Sequence, residues 1–414
     1  MTFWLLWRNL RTRAGANSLT VLAIAVAVLM GLVVPLLLSS FRQGVIQAAN
    51  SFDLLITAKG SQSQAVLNTI FLQEAPLGNI PYAILEKLKR DPRTKKAIPL
   101  AFGDNYNGFP ILGTNQDFFE LRPSQSQAVL YRLAQGAVFK DEFDAVLGAQ
   151  AAKISGLKIG DTFKSQHGIT PTFEPDEHDD KFKVVGILEP SGAAGDRGIF
   201  VPIEAVWHLH EAEEKEALGA TAPDQDHQGE HSDGEKEVTA ILWTPTRLGY
   251  AYQLANELNQ GQVAQGVFPG QVIGQLFSFM GQGQEAYNLI IWLALLLATL
   301  TIAINTLSAS QVMQRNLAVL RAIGASKNQV VSLVLLEALV ITVVGLLVGF
   351  VLTYLMTSVV QQWLELQTAL TLPKLAPNLS DLLRVASVIP VALVFALLPA
   401  LWAIKNSPLK QMQR

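Results

Sequence analysis

Four long apolar runs stand out along the chain, separated by one large block of mixed character and two short polar breaks. Ser18–Ser40, Ala286–Ser310, Val330–Met356 and Val385–Ile404 each supply the stretch of about 20 apolar residues that a helix needs to cross a hydrocarbon core. The first run is longer than the apolar part of a secretory signal, and no A-x-A site follows it. A span is therefore expected there rather than a leader, with Pro35 as a candidate kink. Ahead of it, Met1–Asn17 interleaves Phe3, Trp4 and Trp7 with Arg8, Arg11 and Arg13. That is the pattern of an amphipathic helix lying against membrane lipid, rings among the headgroups and guanidinium groups in water.

From 41 to 285 the pattern changes to short elements. Phe41–Ala49 and Ile273–Gln284 continue the helical character of the neighbouring runs and are expected as stalks. Between them, Phe52–Ile56, Ile98–Leu100, Phe109–Leu112, Phe182–Leu188, Gly198–Ile203 and Val238–Trp243 read as strands. Ile80–Arg90 has helical spacing, and Asp144–Phe163 reads as strand, small-residue helix and Gly-Asp turn. Two segments depart from this pattern, 165–181 and 208–237. The second holds four histidines and ten acidic residues, with few apolar positions after Leu218. Such stretches lack the apolar surface to order themselves, and both are expected as surface insertions. The fold class is thus a membrane α-helical protein with four transmembrane helices, plus an extracytoplasmic mixed α/β domain on helical stalks.

Composition supports this division. Half the chain is hydrophobic and only 16% charged, well below the quarter that is usual in soluble domains. There is no cysteine, which excludes disulfides and thiol chemistry. The distribution of charge sets the orientation. Residues 1–17, 311–329 and 405–414 carry nine Lys and Arg and no Asp or Glu, so both termini and the break at 311–329 are expected in the cytoplasm. Residues 41–285 and the loop 357–384 then face outward.

The break at 311–329 has its own shape. Leu317, Leu320 and Arg321 fall at helical spacing, Gly324 suits the left-handed residue that ends a helix, and Ser326 with Gln329 fits a capping box that starts the next one. Two readings fit a helix, a sharp break and a second helix: a rigid docking element for another protein, and a plain helix hairpin closed by its caps. Glu337, about two turns into the third span, must face protein or water; it is either functional or a near-interface charge paired with Arg315 or Arg321. Gly345 and Gly349 form a G-x-x-x-G that permits close helix approach.

Several functions are excluded by missing motifs. There is no G-x-x-x-x-G-K-[ST], so no nucleotide is bound through a P-loop, and neither H-E-x-x-H nor G-x-S-x-G occurs. The near-uncharged spans argue against an ion path, and basic segments that lie against the membrane argue against nucleic acid.

The stretch QRNLAVLRAIGASKNQV, followed by Glu337, Gly345 and Gly349, resembles the MacB/FtsX-like permease family of ABC systems. AVLGAQAAKISGLKIGDTF, FKVVGILEPSGAAGDRGIFVPIEAV and the ending from Pro399 to Leu409 are similar to it as well. Asn316 stands where that family often has glutamate. The resemblance implies a dimer, homomeric rather than heteromeric, of four-span subunits in the bacterial inner membrane with a large periplasmic domain. It implies a separate cytoplasmic ABC ATPase docking on Arg315, Asn316, Leu317, Leu320, Arg321, Gly324, Ser326 and Lys327, so the permease is not itself an enzyme. The expected role is ATP-driven release or export of a lipoprotein, peptide or small molecule, with a periplasmic adaptor as a further partner. The alternatives are a non-transporting switch for a cell-wall hydrolase and a zinc-linked system with a metal-binding partner.

The last of these rests on the histidines. Imidazole and carboxylate suit zinc, and His178, His208, His210, His227 and His231 are candidate ligands at the outer His/acid-rich segments. The competing reading is a solvated acidic loop with incidental histidines.

Overall fold

The computed structural model describes residues 2–123, 128–168, 177–210, 236–281, 283–322, 326–370, 372–373 and 377–405. Among them the helices are α1 (Thr2–Thr12), α2 (Ala14–Ala49), α3 (Gln62–Thr69), α4 (Tyr82–Arg90), α5 (Ala149–Ser155), α6 (203–210), α7 (Leu248–Gln260), α8 (Pro269–Gly281), α9 (Gly283–Ala322), α10 (Lys327–Thr368), α11 (Leu379–Ala386) and α12 (Val388–Lys405). The strands are β1 (Leu54–Ala58), β2 (Ile80–Pro81), β3 (Thr94–Tyr106), β4 (Phe109–Thr114), β5 (Leu133–Gly136), β6 (Asp144–Leu147), β7 (Thr162–His167), β8 (Glu177–Leu188), β9 (Ile199–Pro202), β10 (Glu237–Val238), β11 (Ala240–Pro245) and β12 (Ala264–Val267). The chain divides into two compact units, one of residues 1–41, 280–362 and 374–414, the other of residues 42–279 and 363–373.

The first unit is helical. Ile24, Val28 and Leu32 of α2 meet Ile291, Leu295 and Ile302 of α9, Ile341 and Leu346 of α10, and Val388 and Ala392 of α12 in one apolar core. The opposite faces of the same helices expose Leu22, Met30, Leu289, Trp292, Leu296, Leu347 and Val351. A helix apolar all round is the form that lipid tolerates. Among the described residues three segments are long and apolar enough to cross a membrane: Ala14–Ala49, Tyr287–Asn305 and Asn328–Thr368. Where the fourth span is expected, α11 ends at Ala386 and α12 begins at Val388, with Pro390 in its first turn, where a missing N–H costs nothing. Pro35 does not break α2, which runs unbroken through it.

Helix α10 differs most from expectation. It continues past Met356 to Thr368, so the first part of the loop read at 357–384 is helix. Nothing between 357 and 368 breaks a helix; the proline comes only at 373. At 42 residues the helix is about 63 Å long.

The second unit is built on a ten-stranded sheet in the order β12-β1-β11-β3-β4-β9-β6-β8-β5, with β7 bridging β3 and β8 and a separate β2–β10 pair. Most pairings are antiparallel; β4–β9 and β6–β8 are parallel. Central strands such as β1, β6 and β9 are continuous apolar runs because both of their faces are covered. A tight hairpin joins β3 to β4 at Asn107–Gly108, both with positive φ (50° and 81°), as a two-residue turn requires. The β3–β4 register slips between Phe102 and Asn105, and at that bulge Asp104 pairs instead with His167 of β7.

The expected insertions are narrower than their sequence suggests. Strands β7 and β8 take up Ser165–His167 and Glu177–Lys181, because Ser165 and His178 are buried against the sheet. Similarly, α6 reaches residue 210 and β10 begins at Glu237.

Candidate functional site

The break at 311–329 is described at its start and its end. Backbone helix runs through Arg315, Asn316, Leu317, Leu320 and Arg321 as the last part of α9. Their side chains, that of Lys327 and residues 323–325, with Gly324, lie outside the described residues. Ser326 is described, and it closes a capping box. Its Oγ accepts from Gln329 N–H at 3.3 Å, while its own N–H donates to Gln329 Oε1 at 2.9 Å.

On α10, Gly345 and Gly349 face α2. A Cβ at Gly345 would lie 2.7 Å from Ile24 Cβ, and one at Gly349 would lie 2.6 Å from Val28 Cβ and 3.1 Å from Ala25 O. Glycines and their partners are each four residues apart, so two helical ridges meet where no side chain intervenes. Glu337, about two turns before Gly345 on α10, is buried in the field of Arg13; the side chains of Arg315 and Arg321, the expected partners, lie outside the described residues.

At its other end α10 is held by the outer unit. Gln150 Nε2 donates to Leu366 O, and Arg197 Nη1 donates to Gln367 O at 2.6 Å. Both acceptors are last-turn carbonyls that have no partner within their own helix.

The predicted histidines separate into two groups. His178 and His210 converge on Asp104 together with His167. Oδ1 of Asp104 stands 3.4 Å from His178 Nε2, 3.8 Å from His167 Nδ1 and 3.9 Å from His210 Nε2. The three imidazole centroids are 5.6–6.2 Å apart. His208, two positions before His210 on α6, points elsewhere and meets Glu142 Oε1 at 3.0 Å; residues i and i+2 of a helix do not share a face. His227 and His231 lie outside the described residues.

Two family models match the chain. The FtsX-like permease C-terminal model covers residues 288–409, and the MacB-like periplasmic core domain model covers residues 18–232, just over half of the sequence. The chain belongs to the MacB/FtsX-like permease family. It is an ABC permease with membrane helices and a periplasmic domain. Among solved structures, the periplasmic region of MacB from Actinobacillus actinomycetemcomitans aligns at 11% identity and a TM-score of 0.34, covering 55% of this chain and 94% of that one. The extracellular domain of the noncanonic ABC-type transporter YknZ from Gram-positive bacteria aligns at 12% identity and 0.28, covering 52% and 98%. Similarity that low equates no folds, and the assignment rests on the two family models. No curated protein matches the chain.

In this permease the FtsX-like match contains the break at 311–329, Glu337 and both glycines, and the MacB-like match contains Asp104 and its histidines. Asp104 carries no sequence signal as a ligand, because a bulge in a long strand places it beside residues 63 to 106 positions away. The Arg197 and Gln150 contacts are equally invisible in sequence.

Proposed function

We propose that the permease works as a homodimer of four-span subunits in the inner membrane, with both termini cytoplasmic and the large domain in the periplasm. A separate cytoplasmic ATPase docks on the segment from Arg315 to Lys327. Its nucleotide-driven closure moves the spans and stalks, and the periplasmic domain performs the work, releasing or exporting a lipoprotein, peptide or small molecule. The observation that carries this reading is α10: one unbroken helix, capped by Ser326 and Gln329 beside the docking segment, whose last turn is gripped by Gln150 and Arg197. A long helix fixed at both ends transmits displacement along its axis without an intervening hinge. The absence of a P-loop makes the partner ATPase necessary, and the nine uncompensated cations at 1–17, 311–329 and 405–414 support the orientation.

Reversing charge at Arg315 and Arg321 (R315E/R321E) tests the docking assignment. The ATPase is expected to be lost from detergent-purified permease while the permease still inserts and folds. Undiminished co-purification overturns the assignment.

A further inference from the structure

We propose that Asp104, His167, His178 and His210 form a binding site for a zinc-class divalent ion in the periplasmic domain. Nothing in the coupling mechanism requires this site, and its test is independent of that reading. Four elements supply the ligands: the bulge of β3, the last residue of β7, the second residue of β8 and the end of α6.

Asp104 makes the case. Its side chain is 1% exposed, and its Oδ2 is buried with no hydrogen-bond partner among the described residues. A buried carboxylate is costly without a compensating cation. Among the described residues, every ion pair that Asp104 makes is with a histidine. Their separations of 3.4–3.9 Å exceed the usual N–H···O distance of about 2.7–3.2 Å. Donors on a tetrahedral zinc, each about 2.0–2.2 Å from the ion, stand about 3.3–3.6 Å apart. The donor atoms of Asp104, His167 and His178 all lie within 4.8 Å of one another, and His210 Nε2 stands 3.9 Å from the same Asp104 oxygen. A single divalent ion would meet the carboxylate and all three rings together.

The backbone makes room for this cluster. The bulge between Phe102 and Asn105 releases Asp104 from pairing with β4 and sets it opposite His167. The neighbouring Gly103 has no Cβ; one placed there would lie 3.0 Å from His210 Nε2. Three imidazoles and a carboxylate, with no thiolate, suit Zn2+ and related divalent ions. The ligands also bracket the two polar segments of the sequence. His167 and His178 flank the first, and His210 opens the second. A bound ion therefore ties the roots of both segments together, with His227 and His231 further along the second.

The experiment uses full-length, detergent-solubilised permease, stripped with chelator and titrated with Zn2+ by calorimetry. Wild type is expected to bind one tight equivalent per chain and to gain thermal stability as Zn2+ rises. His167→Ala, whose side chain is half exposed, and Asp104→Asn are expected to lose that equivalent. H208A and the H227A/H231A double variant are expected to keep it. Because Asp104→Asn alters a buried site, retention of the wild-type melting temperature in metal-free H167A supplies the folding control. The visible spectrum of the Co2+-loaded protein reads the geometry and should report a tetrahedral nitrogen–oxygen site that H167A abolishes. No tight equivalent in wild type, or an equivalent lost only with His227 and His231, overturns the proposal.

Discussion

Gly345 and Gly349 show how much a single hydrogen in place of a side chain decides. A methyl group at Gly349 would sit 2.6 Å from Val28 Cβ and 3.1 Å from a backbone oxygen that has little freedom to move. Gly349→Leu is expected to force the α2–α10 seam apart at a cost of about 1–3 kcal/mol, the usual range for overpacking. It should lower the melting temperature of the detergent-solubilised permease. Gly15→Ala, with nothing within 4 Å, is the control and should not lower it. Equal melting temperatures for the two variants would remove the seam from the account. At this scale the sequence was uneven. A G-x-x-x-G is legible because spacing alone puts both glycines on one face. Asp104 is not, because the partners that define it come from three later elements and its place depends on a bulge that no spacing rule marks. His208 and His210 show the converse: two positions apart in sequence, they are sent apart by helical geometry.

Among the elements, α10 concentrates what is unusual about this permease. Its start was readable, because a Ser followed three residues later by Gln ahead of an apolar run is a local signal and the box forms as the residues require. Its end was not. The sequence between Thr357 and Thr368 lacks both the hydropathy of a span and the breakers of a turn, and only contacts with Gln150 and Arg197, distant in sequence, show where the helix stops being free. The β3–β4 hairpin carried a plain signal in Asn107–Gly108, since both residues accept the left-handed backbone that a two-residue turn needs. The strand pairing beyond it, parallel in two places, depended on long-range register. The capping box yields a prediction at this scale. S326A/Q329A removes both reciprocal bonds and should cost about 1 kcal/mol per cap lost. Amide exchange at 328–331 is expected to rise, with residues 340–350 unaffected. Unchanged exchange at 328–331 would mean that the start of α10 is fixed by something other than its cap.

At the level of the whole molecule, the question is whether work done on the cytoplasmic face reaches the periplasmic domain through α10. The helix has residues in both compact units, and its final turn, part of the second, accepts bonds there from a glutamine and an arginine that the rest of the domain does not need for its core. A rigid rod delivers displacement only if its far end is fastened. Q150A/R197A unfastens it while leaving residues 315–327, the capping box and the glycine seam in place. The expected result is ATP hydrolysis by the co-purified ATPase at the wild-type rate, together with loss of the ATP-dependent change in hydrogen exchange across β1, β11 and β12. Arg197 also lies 5.8 Å over the Phe109 ring, so some loss of local packing accompanies the change. An R197K control retains a cation there without the planar two-pronged donor, and it separates packing from fastening. If the double variant keeps the full exchange response to ATP, force enters the domain by α2 or by α8 and α9 instead, and α10 is reduced to a packing helix. If hydrolysis falls together with the response, the outer domain is coupled back to the ATPase, which a fastened rod permits and a one-way lever does not.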